Sequence, residues 1–363
     1  MQYQNVAFIG WNPFQFRHIE PVAKLLPQCF FVVEERKNNN IEAFQEDFFK
    51  KKGINIITWP SSKLSLLDGV FDVLVCQVVF PGIEKIKKSK IVFVQYGYAK
   101  DPHNYGIWRG FGELNCTYGP YATKKVQNFS RVVETGNPEI VKWNDSLFIE
   151  SSKSKFACKL DSKKRTLLYA PTWGDLSSVE LYLNDLIHRA GRDFNIILKL
   201  HHNTDLIEKS RQYIKSFKNI YLAGANDDIW ELLAVSDALI SDYSGAIFDG
   251  VYAEKPIVLL NIPDAISSKK EDMDCLEFKH RDEIGIQVNN PEQLDDINSL
   301  IIEGKRIRDK YNLKSKLYSQ SSQPDIEIKK SIELVLSGVS SLPEHRYLKS
   351  YLQKTYEFFR KIK

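Results

Sequence analysis

Residues 236–261 read SDALISDYSGAIFDGVYAEKPIVLLN, a strand–turn–helix–strand pattern. The apolar run at 238–240 leads into a polar turn, SDYSG at 241–245, and the following residues have helical character before a second apolar run begins. A small-residue turn at the carboxyl end of a strand places backbone N–H groups and a hydroxyl at a helix N-terminus, which suits a diphosphate. An ordinary helix cap by Asp242 or Ser244 explains the same local pattern, so both interpretations stay open here.

Short β-branched or aromatic runs recur about every 20 to 30 residues on both sides of this stretch, separated by amphipathic segments. This alternation is typical of βαβ units around a parallel sheet, so the fold class is α/β. Seven strands are predicted in the first half, at 6–10, 30–34, 54–59, 71–80, 91–96, 114–119 and 131–136. A second series is predicted at 166–171, 194–201, 219–224, 237–242 and 256–261.

Two domains follow from the length of 363 residues and from the two series of strands. We predict an N-terminal Rossmann-like domain at 1–150 and a C-terminal Rossmann-like domain at 151–340. The Ser- and Lys-rich stretch at 150–165 is interpreted as the linker between them.

Residues 341–363 are predicted to form a basic amphipathic helix. From 344 to 363 there are six Lys or Arg and two Glu, which accounts for the net charge of +4. The helical spacing aligns an apolar face made by Leu348, Tyr351, Leu352, Thr355, Phe359 and Ile362. Two interpretations stay open: a last helix packed on the protein, or an interfacial helix on an anionic membrane.

The composition excludes several classes of protein. Fifty Lys and Arg against 46 Asp and Glu is too balanced for a dedicated nucleic-acid binder. Five widely spaced cysteines without a CxxC pair encode neither a disulfide framework nor a zinc knuckle, which favours a reducing cytoplasm. No apolar stretch is long enough for a spanning helix, and none has the flanks of a signal peptide, so we expect a cytoplasmic protein, peripheral on the inner face of the membrane.

Three segments, in this order and with these separations, resemble the C-terminal motifs of the CDP-glycerol glycerophosphotransferase family. They are TLLYAPTWG at 166–174, LKLHHN at 198–203 and the stretch from 236 to 260. The family contains bacterial enzymes that prime or polymerise teichoic acids and polyol-phosphate capsules. It is similar to GT-B glycosyltransferases, which implies two Rossmann-like domains facing across a cleft, with the nucleotide held mainly by the second.

The resemblance implies donor-binding residues. His201 falls on the histidine of the family's HP-type motif, which faces the donor pyrophosphate; His202 replaces the usual proline, so either histidine is a candidate. Such a histidine can donate to a phosphate oxygen and stabilise departing CMP.

Five further residues are candidates on the donor side. Ser244 and Gly245 match the small pair that opens the phosphate-facing helix. We expect Asp242 to cap or orient, because two anions repel. Thr172 and Trp173 follow a strand and are expected to line the nucleotide side, although a core tryptophan is the competing interpretation.

The first half departs from the family. Where relatives have a WHG-like turn whose histidine is proposed as a base, this chain has Gln95, Tyr96 and Gly97. A neutral tyrosine is a poor base at neutral pH. His18 lies in an H-x-x-P pattern after the first strand, similar to the acceptor-facing loop of GT-B enzymes, and is the candidate base.

The first half contains further acceptor or cleft candidates. They are Tyr96 and Gly97 themselves and His103, which lies on the loop after the Tyr96 turn. Arg17, Lys100 and Arg109 are candidates to supply positive charge to a phosphorylated acceptor, and a solvated surface side chain is the competing interpretation of each.

The predicted function is transfer of glycerol phosphate or ribitol phosphate from a CDP-activated donor to a glycan or lipid-linked acceptor, without a cofactor. No DxD triplet is present, so a metal-independent reaction is expected. The alternative is a GT-B glycosyltransferase that uses a CMP- or UDP-sugar. A non-hydrolysing sugar-nucleotide epimerase and a non-catalytic nucleotide-binding relative are also considered.

Overall fold

The structure is a computed structural model that describes residues 5–36, 54–201, 204, 211–212, 214, 216–224, 227–263, 265 and 274–362. Its strands are β1 Val6–Gly10, β2 Cys29–Glu35, β3 Asn55–Pro60, β4 Val73–Cys76, β5 Lys90–Val94, β6 Leu114–Thr117, β7 Val132–Glu134, β8 Arg165–Tyr169, β9 Phe194–Leu198, β10 Ile220–Leu222, β11 Ala238–Ser241, β12 Ile257–Leu260 and β13 Ile286–Val288. Its helices are α1 Pro13–Ala23, α2 Asp101–Asn104, α3 Pro120–Val126, α4 Ile140–Trp143, α5 Ser146–Phe156, α6 Val179–Arg189, α7 Ile229–Ala234, α8 Ala246–Tyr252, α9 Leu276–Lys279, α10 Arg281–Ile284, α11 Ile297–Tyr311, α12 Leu313–Leu317, α13 Pro324–Leu336 and α14 Pro343–Ile362.

The strands form two parallel sheets, which confirms the α/β fold class. The first sheet has the order β3-β2-β1-β4-β5-β6-β7, and the second has the order β10-β9-β8-β11-β12-β13. All twelve predicted strands are present, and the short β13 is an addition. In open parallel sheets, ligands bind beyond the carboxyl ends of the strands where the strand order reverses. These switch points lie between β1 and β4 in the first sheet and between β8 and β11 in the second.

The first sheet is buried on both faces. Successive residues of a strand point to opposite faces and therefore enter different cores. Phe8 of β1 packs with Phe16 of α1 and Ile332 of α13. Its neighbour Ile9 faces the other core, which includes Leu352 of α14. The last two helices therefore supply side chains to both cores of the N-terminal sheet.

The compact units of the structure consequently differ from the domains predicted with boundaries at 150 and 340. One compact unit comprises Met1–Tyr96, Pro102–Val141 and Lys316–Lys363, and the other comprises Gly97–Asp101 and Lys142–Ser315. The chain after 316 belongs to the first unit because the apolar face of α13 is buried against the first sheet.

The linker predicted at 150–165 is wrong in its first half, because α5 continues to Phe156. The Asp145 side chain accepts a hydrogen bond from the Leu147 backbone and caps this helix, and Phe156 is buried at its end. The predicted C-terminal helix is present as α14. Among the described residues, every helix is too short or too polar to span a bilayer.

Candidate functional site

The donor-side residues predicted from the sequence meet at the switch point of the second sheet. Thr172 and Trp173 follow β8, while Asp242, Ser244 and Gly245 follow the neighbouring β11. The two strand ends are bonded to each other, since the Ser241 hydroxyl donates to the Ala170 carbonyl at 2.6 Å. The structure thus brings together the TLLYAPTWG and SDYSG segments that are distant in sequence.

Asp242 is the centre of this junction. One carboxylate oxygen accepts from the Thr172 backbone N–H at 2.8 Å, and the other accepts from the Ser178 backbone N–H at 2.9 Å and its hydroxyl at 2.8 Å. Burial raises the pKa of the Asp242 carboxyl, and the hydrogen bonds from Ser178 and Thr172 act in the opposite direction. The carboxylate is fully buried and orients the loop after β8.

Ser244 and Gly245 lie at the start of α8, where the helix leaves the sheet. Gly245 is the N-cap residue and is exposed, and the Ser244 hydroxyl accepts from the Ala246 N–H at 3.3 Å. A side chain at Gly245 would meet only the Ala99 Cβ, at 3.9 Å. The turn therefore presents its backbone to the surface without a bulky side chain over it.

Arg281 stabilises the turn through hydrogen bonds to neighbouring segments, a role that was not predicted from the sequence. Its guanidinium donates to the carbonyls of Asp242 and Leu260 at 2.9 and 3.2 Å and to the Asn261 side chain at 2.9 Å. It also lies 4.1 Å from the centre of the Tyr243 ring. Burial lowers the pKa of the Arg281 guanidinium. No local pattern identifies this residue, because two of its carbonyl partners, those of Asp242 and Leu260, are more than 20 residues away.

Trp173 and His201 form an aromatic pair beside these strand ends. Their rings stack with centroids 5.7 Å apart and an angle of 25°. Trp173 is 47% exposed, which rules out the competing interpretation of a core tryptophan. His201 is half-buried three residues after β9. His202 lies outside the described residues.

In the first unit, His18 lies in a polar cluster at the switch point of its sheet. The His18 side chain is buried, its Nδ1 lies 2.7 Å from Gln77 Nε2, and its Nε2 lies 2.5 Å from the Tyr118 hydroxyl. Tyr96 contacts the imidazole edge-on, with centroids 5.7 Å apart. Gln77 directly follows β4, and Tyr118 directly follows β6. Ligands of open parallel sheets bind beyond the carboxyl ends of the strands, so this position favours a functional role.

The orientation of the Gln77 amide determines which nitrogen of His18 carries the proton. With Nε2 of Gln77 toward the ring, as its contact with the Gln15 carbonyl at 3.3 Å favours, the proton lies on Nε2 of His18. With the amide rotated by 180°, the proton lies on Nδ1, and the lone pair of Nε2 faces the Tyr118 hydroxyl.

The remaining candidates are separate from this cluster. Arg17 is half-buried and lies near the Phe14 ring, and His103 is exposed on α2. Gly97 belongs to the short segment that packs with the second unit, in which the Lys100 backbone N–H donates to Glu277 at 2.7 Å.

Arg109 is not a surface cation, and its predicted role is wrong. It is buried over the Trp108 ring, and its Nε donates to the Asn104 carbonyl at 2.8 Å. Burial lowers the pKa of its guanidinium to about 10. The Arg109 side chain is therefore part of the packed interior of the first unit.

Comparison with known proteins confirms the family resemblance for part of the chain. Residues 120–279 match the model of the CDP-Glycerol:Poly(glycerophosphate) glycerophosphotransferase family. This stretch contains Thr172, Trp173, His201 and the Ser244–Gly245 turn.

Curated relatives are similar over part of the chain. The teichoic acid glycerol-phosphate transferase of Staphylococcus aureus is 28% identical over 156 residues, 38% of each chain. The teichoic acid poly(glycerol phosphate) polymerase of Staphylococcus epidermidis is 29% identical over 140 residues, 35% of this chain and 19% of the relative. The match thus spans less than half the length of these relatives.

Solved structures are similar over nearly the whole chain. The wall teichoic acid polymerase TagF, in a structure soaked with CDPG, has a TM-score of 0.68 at 15% identity, covering 93% of this chain and 90% of the other. The UDP-GlcNAc 2-epimerase from Neisseria meningitidis, bound to UDP-GlcNAc, has a TM-score of 0.58 at 11% identity, covering 92% and 100%. At these identities the likeness establishes the fold, which is GT-B as predicted.

Proposed function

We propose that this chain, whose residues 120–279 match the glycerophosphotransferase family, is a CDP-polyol phosphotransferase. It moves glycerol phosphate or ribitol phosphate from a CDP-activated donor to a hydroxyl of a glycan or lipid-linked acceptor in the synthesis of a cell-surface polymer. The observation that carries the proposal is the Ser244–Gly245 turn, which lies at the switch point of the second sheet and inside the matched stretch. Curated relatives that match part of the chain are a teichoic acid glycerol-phosphate transferase and a teichoic acid poly(glycerol phosphate) polymerase.

In the proposed reaction, the acceptor oxygen attacks the distal phosphorus of the donor, and the bond from that phosphorus to the bridging oxygen breaks in line. CMP leaves with the electron pair. His201, the Ser244 hydroxyl and the Gly245 N–H stabilise the negative charge that builds on the leaving phosphate. Asp242 and Arg281 position this turn and do not contact the phosphates.

His18 is the proposed base for the acceptor hydroxyl. This role requires the tautomer with an unprotonated Nε2, which corresponds to the rotated Gln77 amide. It also requires the acceptor hydroxyl to take the place of the Tyr118 hydroxyl beside that nitrogen. Burial of the imidazole excludes bulk water, which would otherwise compete for the proton.

The proposal is tested by product analysis with purified protein, offering CDP-glycerol, CDP-ribitol, a CMP-sugar and a UDP-sugar in parallel. We expect CMP and a polyol-phosphate ester only with the CDP donors. His201→Ala should lower turnover at least 100-fold with an unchanged melting temperature, whereas the exposed His188→Ala serves as a matched control. Normal turnover by His201→Ala would remove that residue from the mechanism.

A second candidate is a GT-B glycosyltransferase with a CMP- or UDP-sugar donor. It is favoured by Tyr96, which occupies the position of the family's WHG-type histidine, and it uses the same diphosphate turn. Transfer of a sugar, rather than of a polyol phosphate, in the product analysis would select it.

We further propose that the protein is cytoplasmic and binds the inner face of the membrane through α14. Leu352 is buried in the first unit, whereas Tyr347 and Tyr351 are 80% and 66% exposed on the same helix. The Gln353 side chain donates to the Ile86 carbonyl, which places the exposed lysines at 85, 87 and 88 beside the helix. Exposed aromatic rings next to lysines suit an anionic lipid surface.

A further inference from the structure

A cavity of about 510 Å³ lies in the first unit, at the carboxyl end of β2. This volume is in the range of small-molecule sites. The cavity lining includes the polar side chains of Glu34, Arg36 and Ser61 and the aromatic side chains of Phe80 and Tyr356. None of these residues takes part in the chemistry described above.

Glu34 is a fixed hydrogen-bond acceptor in this lining. Its side chain is 1% exposed, and its carboxylate accepts from the Ser61 hydroxyl at 2.6 Å and from the Arg36 guanidinium at 2.9 Å. An ionised carboxylate has about four acceptor positions, so these two donors orient the group and leave capacity for hydroxyl groups of a ligand. Such a carboxylate is well suited to a molecule with several O–H donors.

The charge of the lining disfavours an anion. Arg36 is neutralised by its ion pair with Glu34, and its guanidinium is stacked 3.5 Å from the centre of the Trp11 ring. A phosphate in the cavity would face the Glu34 carboxylate and a cation that is already paired.

The rest of the lining supplies apolar surface for the C–H groups of a ligand. Phe80 and Ile83 are buried, and Tyr356 of α14 is held edge-on against Phe111 with centroids 5.2 Å apart. Fixed carboxylate and hydroxyl groups together with aromatic carbon match the two kinds of surface of a sugar or polyol.

We propose that this cavity binds a neutral, hydroxyl-rich sugar or polyol unit of the acceptor. Gln77, which contacts His18, precedes the lining residue Val79 by two positions at the same edge of the sheet. A unit bound in the cavity therefore contacts the segment that also carries Gln77. This assignment rests on the proposed transfer of a polyol phosphate to such an acceptor.

The test is ligand-observed saturation-transfer NMR on the full chain without any nucleotide. Methyl glucoside and ribitol are the neutral probes, and glucose 6-phosphate and ribitol 5-phosphate are their anionic counterparts. We expect binding of the neutral probes, at least tenfold weaker binding of the phosphate esters, and at least tenfold weaker binding of the neutral probes by Glu34→Gln. Glu35→Gln, which changes the adjacent exposed carboxylate, should bind as the wild type does.

Equal binding by Glu34→Gln and wild type, or a preference for the phosphate esters, would overturn the assignment. If Glu34→Gln does not fold, Ser61→Ala tests the same point, because it removes only the hydroxyl that orients Glu34 and should weaken binding about threefold. CDP binding is measured on the same samples. Sugar binding without CDP binding would contradict the proposed CDP-dependent transfer but support sugar binding in the cavity. CDP binding without sugar binding would contradict only the assignment of the cavity.

Discussion

The Ser178 hydroxyl and its backbone N–H both donate to one carboxylate oxygen of Asp242, at 2.8 and 2.9 Å. The same hydroxyl lies 2.7 Å from the Tyr169 hydroxyl at the end of β8. A single serine thus ties the loop after β8 to the turn after β11. The shape of the proposed donor site therefore depends on this buried bond as well as on the residues expected to contact the donor.

Ser178→Ala should lower the free energy of unfolding by about 1–3 kcal/mol, because it leaves two buried polar groups short of a partner. It should also weaken CDP binding, since the loop that carries Thr172 and Trp173 loses an anchor. Chemical denaturation and calorimetric titration measure the two effects. Ser177→Ala, one residue earlier and only half-buried, is the control and should change stability by less than about 0.5 kcal/mol. Equal effects of the two substitutions would contradict this account.

Arg281→Lys should raise the KM for the donor about tenfold with little change in the KM for the acceptor. Lysine keeps the charge but cannot reach two carbonyls and the Asn261 side chain together. The Asp242 carbonyl and the turn that follows it would then be less well fixed. Arg306→Lys on α11, whose side chain is 73% exposed, is the matched control. A parallel rise in both KM values would indicate a general loss of structure instead.

The strands were predictable from sequence because each is a short β-branched or aromatic run bounded by polar residues. β13 was missed because Ile286–Val288 has only three residues, one of them Gln287. The return of α13 to the first unit was also missed, since an amphipathic pattern predicts a buried face but does not identify the surface that buries it.

The positions of the proposed donor-side residues were predictable where they follow strands in a recognisable order, as Thr172 and Ser244 do. The contacts of Arg281 and Ser178 were not predictable, because they join distant segments. The pattern around His18 contains no information on Gln77 or Tyr118, whose side chains contact its two ring nitrogens.

Gln77→Glu should retain activity and move the acidic limb of the pH–rate profile to higher pH by about one unit. A carboxylate beside Nδ1 fixes the tautomer that leaves Nε2 free and stabilises the protonated ring. Gln77→Leu should lower turnover about 10- to 100-fold, because the Nδ1 atom of the imidazole then loses its hydrogen-bond partner. Gln127→Leu, an exposed amide in the same unit, is the control. Normal turnover by Gln77→Leu would exclude His18 as the base.

Glu113 should make the attachment of α14 sensitive to acid. Burial alone would raise its pKa, but the Lys349 ammonium at 2.6 Å and the hydrogen bonds from Ser341 outweigh burial and hold the pKa at about 2. Because this lies below the ordinary value of 4.5, the contribution to stability is complete above pH 4.5 and is lost as the pH falls toward 2.

The measurement is the free energy of unfolding of wild type and Glu113→Gln at several pH values. The difference should be about 1–3 kcal/mol at pH 6 and should shrink steadily between pH 4.5 and 2. A difference that stays constant over this range would show that the Glu113 charge is not linked to stability.

The exposed rings of α14 should determine binding to anionic vesicles. Replacing Tyr347, Tyr351 and Phe358 together with serine should weaken binding about 100-fold, because each ring loses about 1 kcal/mol of interfacial burial. All three side chains are at least 60% exposed, so the melting temperature should change little. Flotation with vesicles containing phosphatidylglycerol, at low and high salt, measures the effect. Leu147→Ser, which changes a similarly exposed apolar residue on α5, is the control. Loss of flotation by the Leu147→Ser variant would reject α14 as the membrane contact. Flotation of the triple variant at the wild-type level would reject it as well.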